Sequence, residues 1–446
     1  MLDALRAAID GAVIQPGDPD YDEARKPSVE RFHDAKPQAV VRAASAGDVA
    51  ETIAFARRSG LHLVPRSGGH CLAGRSSTTG MVLDLAALNE VTVDGDTATV
   101  GAGTRLQQLY ADLWQHGRTL NIGCGQTVGI AGLTLGGGLG VLGRAYGLTC
   151  DRLLDAEVVL ADSRIVDTDD DPDLFWALRG AGGGQFGVVT RLQFATLPDP
   201  ATTLFHLTWP YAEAAAVVER WLVFAPTADE GLNASIRIVA GTDPDREPVL
   251  HLFGIHLGSQ AETQGLLARF GDPATSSVDE LPYQQAKPAL SGLGAEPPST
   301  DPASTEPQHE TGRSEYFAQP LPRPTIDQLL ATFTATREPG THRELNFIPW
   351  GGAYNRPDES ATAFAHRDQL YLVEHVQQLP AGRIDAWVDE SWGIVAPYGS
   401  GRVYPNFPNP DLGDPLPAYH GANLPRLREL KQRYDPDRFF HFPQGL

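Results

Sequence analysis

The stretch Arg66–Arg75, RSGGHCLAGR, runs two glycines into a histidine and a cysteine and closes on a second arginine. Glycine has no Cβ, so such a loop can lie close against a ligand and turn its N–H groups into an anion-binding nest. Two more segments have the same character, Gly123–Gly140 and Gly180–Gly187, each flanked by β-branched residues. One such loop is ordinarily a tight turn. Three favour a large phosphate-bearing ligand held by backbone. Gly182, Gly184 and Gly187 form a G-x-G-x-x-G. In a dinucleotide-binding unit this motif follows a strand and opens a helix. Here a helix-like DLFWALRG precedes it and a strand-like VVTRLQF follows, so the motif fails on context. No GxxxxGK[ST] occurs, and no HxH or HExxH cluster predicts a metal. Cys71, Cys124 and Cys150 match neither a zinc motif nor a disulfide framework.

Regular elements must hold these loops. Ser45, with Asp48 three residues on, resembles a capping box that opens the helix VAETIAFARRSG, and Gly60 is its stop. LHLVPRSGGH reads as a strand entering the first glycine loop. Asp94-Gly95 marks a hairpin. TRLQQLYADLWQHG places Leu106, Leu109, Tyr110 and Leu113 on one helical face. AEVVLADSRIVDT reads as a second hairpin. After Pro198 the glycine clusters thin out, and LFHLTW, NASIRIVAG and VLHLFGIHLG look like strands of a separate sheet. Pro282–Pro320 reads as an exposed loop. RELNFIPWGGAY and LYLVEHVQQL return to strand, and a helix carrying Leu424, Leu427, Leu430 and Tyr434 closes the chain.

A chain of 446 residues, 41% apolar and 20% charged, can bury a sizeable core across two or three domains. Lys and Arg total 35 against 56 Asp and Glu, for a net charge of −21. That balance argues against nucleic acid and anionic membranes as partners and disfavours anionic substrates. A phosphate-bearing ligand must then be held by local backbone N–H groups against the global field. No run reaches the roughly 18 apolar residues of a membrane span, and the acidic N-terminus lacks a signal-peptide pattern. The expected location is cytoplasmic. Nothing in the pattern reveals the oligomeric state.

Four ordered motifs carry a family resemblance. VPRSGGHCLAG…MVLDL, GCGQTVGIAGLTLGGGLGVLGRAYGLTCD, DLFWALRGAGGGQFGVVT and the C-terminal YPNF…YHGANLPRLRELKQRYDPDRFF resemble the FAD-linked oxidases of the vanillyl-alcohol oxidase/p-cresol methylhydroxylase fold, in the berberine-bridge-enzyme-like group. The resemblance implies an α+β protein. Residues 1–198 and 404–446 would form a two-part, PCMH-type FAD-binding domain, and residues 199–403 a substrate domain with an antiparallel sheet covered by helices. It implies covalent FAD attached through His70, a small-molecule substrate, and O2 as acceptor giving H2O2. A dehydrogenase with another acceptor, or a non-redox FAD-binding member, is the alternative. The family's second tether is a cysteine, but alignment on Thr127-Val128-Gly129 puts that position on Gly125. Cys124 falls one residue early, so a second bond is not expected, and Cys71 is read as structural.

By the same resemblance Arg66, Ser67, Gly68, Gly69 and His70 embrace the cofactor. Gly125, Thr127, Val128, Gly129, Gly132, Leu133, Gly136, Gly137, Gly138, Gly187, Val188 and Val189 supply further contacts, and Val128 stands where relatives gate oxygen. Tyr404, Asn406 and Asn423 match polar positions at the flavin. The base candidates are Glu374, Tyr146 and Tyr404. Strand alternation puts Val373 and His375 on the face opposite Glu374. A carboxylate in a partly apolar flavin cavity has a raised pKa, which suits a base near neutrality. The bland alternatives are a solvated strand carboxylate for Glu374 and aromatic packing for Tyr146.

Overall fold

The computed structural model describes residues 2–293, 308–380, 382–383 and 385–446. Four short strands, β1 (Ala12–Ile14), β2 (Ala39–Arg42), β3 (Leu63–Arg66) and β4 (Met81–Asp84), form a sheet in the order β1-β2-β4-β3. β2 and β3 run parallel to β4, and β1 is antiparallel. Parallel strands need a crossover, and the helix Ala46–Ser59 provides it between β2 and β3. Ser45 Oγ accepts from Asp48 N at 3.1 Å, and Gly60 ends the helix at φ 62°. Asp48 does not complete the capping box. Its carboxylate accepts instead from the backbone N–H groups of Asp10, Gly11 and Ala44, tying the N-terminal segment to the helix.

β5 (Val91–Asp94) and β6 (Thr97–Gly101) are joined through the Asp94-Gly95 turn. β7 (Arg118–Thr119) follows, then β8 (Leu153–Leu160), β9 (Ile165–Asp167) and β10 (Gly187–Ala195). They give an antiparallel sheet β5-β6-β10-β8-β9, while β7 pairs with β11 (Leu197–Pro198). The helix Pro172–Leu178 precedes the glycine loop at Gly180–Gly184, and β10 follows it. That is the helix–glycine–strand order that disqualified a dinucleotide-binding unit.

Seven antiparallel strands make the third sheet: β12 (Ala201–Pro210), β13 (Leu232–Ala240), β14 (Val249–His256), β15 (Thr275–Pro282), β16 (Gln308–Phe317), β17 (His342–Pro349) and β18 (Tyr371–Pro380). Their order is β15-β12-β14-β13-β17-β18-β16. One face carries Phe205, Leu252, Ile236, Phe347 and Val373, packed in one core with residues of the helices Ala214–Phe224, Arg323–Thr334 and Trp387–Val395. The alternate residues face the other way, toward the first two sheets. The expected loop over Pro282–Pro320 is corrected here. The helix Tyr283–Gly292 and the strand β16 occupy much of it, because their apolar residues Tyr283, Ala286, Leu290 and Phe317 bury against the body. Residues 294–307 of that stretch lie outside the described residues.

Buried cations bolt the halves together. Arg144 donates to the carbonyls of Leu232 at 2.9 Å and Pro226 at 2.8 Å. Lys287 donates to Ile122 O at 2.8 Å. At the C-terminus the helix Leu424–Tyr434 buries Leu424, Leu427, Leu430 and Tyr434, as its periodicity predicts. From it Lys431 donates to Gln185 O at 2.5 Å, fastening the chain end to the third glycine loop.

Candidate active site

A cavity of about 750 Å³ lies between the glycine loops, the seven-stranded sheet and the C-terminal segment. Its first wall combines glycine loops with apolar residues such as Val64, Leu133 and Val188. β3 ends at Arg66 and releases Ser67–His70 into the cavity rim. A Cβ on Gly68 would stand 2.2 Å from Gly129 N, so the loops at Gly68 and Thr127–Gly129 touch main chain to main chain. Gly69 sits at φ 74°, a conformation that favours glycine. His70 Nε2 lies 2.8 Å from Thr127 Oγ1. Burial, with the nearby Arg105 charge, holds the imidazole below the ordinary histidine pKa. It is therefore neutral at neutral pH and keeps a nitrogen lone pair.

The second wall is the inner face of the seven-stranded sheet, and it is made of side chains. Asn233, Ser235 and Arg237 from β13, Glu310 from β16, Asn346 from β17 and Glu374 from β18 all line the cavity. The register pairs Asn346 with Glu374, and Asn346 Nδ2 donates to Glu374 Oε2 at 3.2 Å. Arg237 Nε in turn donates to Asn346 Oδ1 at 3.2 Å. Burial pushes the Glu374 carboxyl up to about 7, against the Asn346 hydrogen bond and with help from Glu310 and Glu344. Val373 and His375 point to the opposite, fully buried face.

Tyr404 lines the cavity from the C-terminal segment. Its hydroxyl oxygen accepts from Gly138 N at 3.0 Å, Leu139 N at 2.9 Å and Asn406 Nδ2 at 3.1 Å. Burial nonetheless raises the phenol to about 12, so Tyr404 keeps its proton near neutrality. With its lone pairs engaged, it is a donor rather than a base.

Most other expected residues also line the cavity: Gly125, Val128, Gly129, Gly132, Leu133, Gly187, Val188, Val189 and Asn406. Some expected contacts lie elsewhere. The Arg66 guanidinium is turned away and donates to the carbonyls of Ala24, Arg25 and Ser76. Gly136, Gly137 and Gly138 sit behind the wall, where a Cβ would strike Asn406, Phe364 and Thr149 respectively. Asn423 donates to the carbonyls of Glu359 and Thr362 instead of facing the cavity. Tyr146 packs half-buried against the first core, outside the cavity lining. Cys124 and Cys71 both border the cavity, and the Lys287 ammonium lies 3.5 Å from Cys124 Sγ.

Residues 37–169 match the family described as FAD binding domain, and residues 403–446 match the one described as berberine and berberine like. A Bacillus subtilis FAD-linked oxidoreductase of uncharacterised activity, YvdP, is 33% identical over 98% of this chain and 98% of its own. The chain belongs to the berberine-bridge-enzyme-like FAD-linked oxidoreductases. Tetrahydroberberine oxidase of Berberis wilsoniae is 28% identical, covering 92% of this chain and 85% of that one. The solved structure of Physcomitrella patens BBE-like 1 superposes with a TM-score of 0.88 at 27% identity, over 100% of this chain and 98% of that one. The fold is thus the PCMH-type α+β fold, and the protein is an FAD-linked oxidoreductase.

The residues of this berberine-bridge-like chain fit FAD. The cradle at Gly68 and Gly129 has no room for a Cβ, Gly69 beside it is held at φ 74°, and Ser67–His70 and Gly182–Gly184 border one continuous cavity. Motif reading missed Asn346, Arg237 and Glu310. Pairing in the sheet sets Asn346 opposite Glu374 and Arg237 opposite Asn346, while Glu310 pairs with Gln378 farther along the same strand. No helix among the described residues is long and apolar enough to cross a membrane.

Proposed function

We propose that the protein oxidises a small neutral or cationic organic molecule, an alcohol, sugar or amine, with FAD tethered through His70 and O2 as the acceptor, giving H2O2. The observation that carries this reading is Glu374, a carboxylate on the cavity wall whose pKa is raised to about 7. When bound, the flavin supplies the two-electron acceptor for a C–H bond next to oxygen or nitrogen. Glu374 takes the hydroxyl or ammonium proton, and Asn346 holds its Oε2 in place. A base with a pKa near the working pH combines availability with driving force. Tyr404, fixed by three donors, orients a substrate atom with its O–H. Thr127 fixes His70 Nε2, which leaves Nδ1 as the attaching nitrogen. Among the described residues the sheet side of the cavity is lined by two carboxylates, Glu374 and Glu310, and one cation, Arg237, which favours a neutral or cationic substrate. Residues 1–198 and 404–446 constitute the FAD-binding part and 199–403 the substrate part, working in the cytoplasm.

Acid-precipitated protein tests the tether. Flavin fluorescence should remain in the pellet, and a His70→Ala variant should release it to the supernatant. Release from the unaltered protein would sink the covalent reading. A peroxide assay over amines, sugars and aromatic alcohols tests the acceptor. Flavin that is reduced by a substrate and stays reduced in air would replace O2 with another acceptor.

A further inference from the structure

FAD carries a diphosphate, and this chain carries a net charge of −21. Backbone N–H groups supply only partial charges to set against that field. Among the described residues the cavity lining holds two guanidinium groups and no lysine: Arg237 and Arg75. Arg237 belongs to the sheet wall, bound to Asn346 at 3.2 Å and lying 3.6 Å from Glu344. Arg75 belongs to the other wall, five residues past His70 in the same glycine loop.

The surroundings of Arg75 are unusual for an arginine. Its Nε and Nη2 are buried and have no hydrogen-bond partner, and no ion pair forms to it among the described residues. What it touches is aromatic. The guanidinium lies 4.8 Å from the ring centroid of Phe442 and 5.8 Å from that of Tyr419, both in the C-terminal segment. A ring face supports a cation without using its N–H donors. Phe442 also adjoins the third glycine loop, since a Cβ on Gly184 would lie 3.6 Å from its ring. Arg75 therefore stands where the first and third glycine loops and the C-terminus converge. The cavity's carboxylates, Glu310 and Glu374, are on the far sheet wall. A planar donor with two buried, unmet nitrogens calls for an anion, and guanidinium matches phosphate in shape and charge.

We infer that Arg75 is the charged ligand of the FAD diphosphate, held in place by Phe442. The inference rests on this chain's membership of the FAD-linked family. It assigns the second arginine of RSGGHCLAGR to cofactor charge, a role the first arginine does not fill because its guanidinium is committed to carbonyls. It also gives the C-terminal segment a direct part in cofactor binding.

The test uses His70→Ala protein freed of flavin, titrated with FAD, ADP and adenosine by calorimetry. Adding Arg75→Gln should weaken FAD and ADP about 10- to 100-fold, the range for losing a charge-assisted hydrogen bond, and leave adenosine unchanged. Equal ADP affinity with and without Arg75 would overturn the inference, as would equal weakening of ADP and adenosine. A His70→Ala protein that binds no FAD would strike at the cradle itself, before Arg75 is tested. If Arg75→Gln does not fold, dicarbonyl labelling of the Arg75-intact protein gives a second readout by mass spectrometry. ADP should protect Arg75 and adenosine should not. Equal labelling under both would overturn the assignment.

Discussion

The loop wall brings glycine turns and apolar residues to the cavity, and the sheet wall brings polar side chains. At Gly68 and Gly129 the backbones meet so closely that a methyl group would stand 2.2 Å from a main-chain nitrogen. At Glu374 and Asn346 the contact is a side-chain hydrogen bond of 3.2 Å between neighbouring strands. At Gly68 and Gly129 the first wall has no room for an added atom, whereas a Cβ on Gly132 would meet nothing within 4 Å. The second can change residue by residue without disturbing the strands, because each cavity-facing residue alternates with one in the core. Phe347 and Val373 carry the packing, and Asn346 and Glu374, next to them in sequence, face the cavity.

Substitutions on the two walls should therefore fail in different ways. Gly68→Ala should have the largest effect. The clash is with backbone, which cannot rotate aside, so the purified protein should contain little or no flavin by the ratio of flavin to protein absorbance. Normal flavin content would mean the loops are looser than described. Glu374→Gln should leave flavin content intact and slow flavin reduction by roughly 10²- to 10⁴-fold, the usual contribution of a general base. Anaerobic stopped-flow measures this with any substrate that reduces the unaltered protein. An unchanged rate would remove Glu374 from the mechanism.

A third effect concerns pH. The folded Glu374 pKa is about 7, against about 4.3 for an unfolded glutamate. Between those values the folded state binds the extra proton, so this group's contribution to stability falls as pH rises and is lowest above pH 7. Glu374→Gln should remove that loss. Thermal melts should show the variant more stable than the parent by roughly 1–3 kcal/mol at about pH 8, with the gap closing toward about pH 4. The parent's reduction rate should rise through about pH 7 as the carboxylate forms. The smallest effect is on the loop wall. Thr127→Val removes one hydrogen bond to His70, worth about 1 kcal/mol. Flavin attachment should slow a few-fold, as followed by pellet fluorescence over time, and substrate oxidation after attachment should be unchanged.

The loop wall was readable in the sequence because glycine spacing is a local signal. RSGGH and QTVG need no knowledge of partners to be recognised as places where backbone approaches a ligand. Periodicity likewise predicts the buried faces of the helices Leu106–Gln115 and Leu424–Tyr434. The sheet wall was only half readable. Alternation puts Glu374 on one face of its strand, but Arg237 and Asn346 lie far away in sequence and join it by strand register. Polar residues in a strand look alike whether they face a cavity or bulk water. The loop expected over Pro282–Pro320 failed for a related reason. Proline and serine mask an apolar set, Tyr283, Ala286 and Leu290, whose burial depends on what packs over it.

By itself the sequence determined which residue types were available: glycine nests, one histidine at the end of a turn, apolar periods that build helices and strands, and a family resemblance resting on all of these. These are properties of short stretches, set by φ, ψ and side-chain period. The tertiary structure decided which polar groups face the cavity and which are consumed elsewhere. It turned Arg66 and Asn423 onto carbonyls and moved Gly136–Gly138 behind the wall. It also left Arg75 over a ring with two N–H-bearing nitrogens unpaired. Those outcomes depend on where the C-terminal segment and the seven-stranded sheet come to rest against the glycine loops, and no local pattern contains that distance.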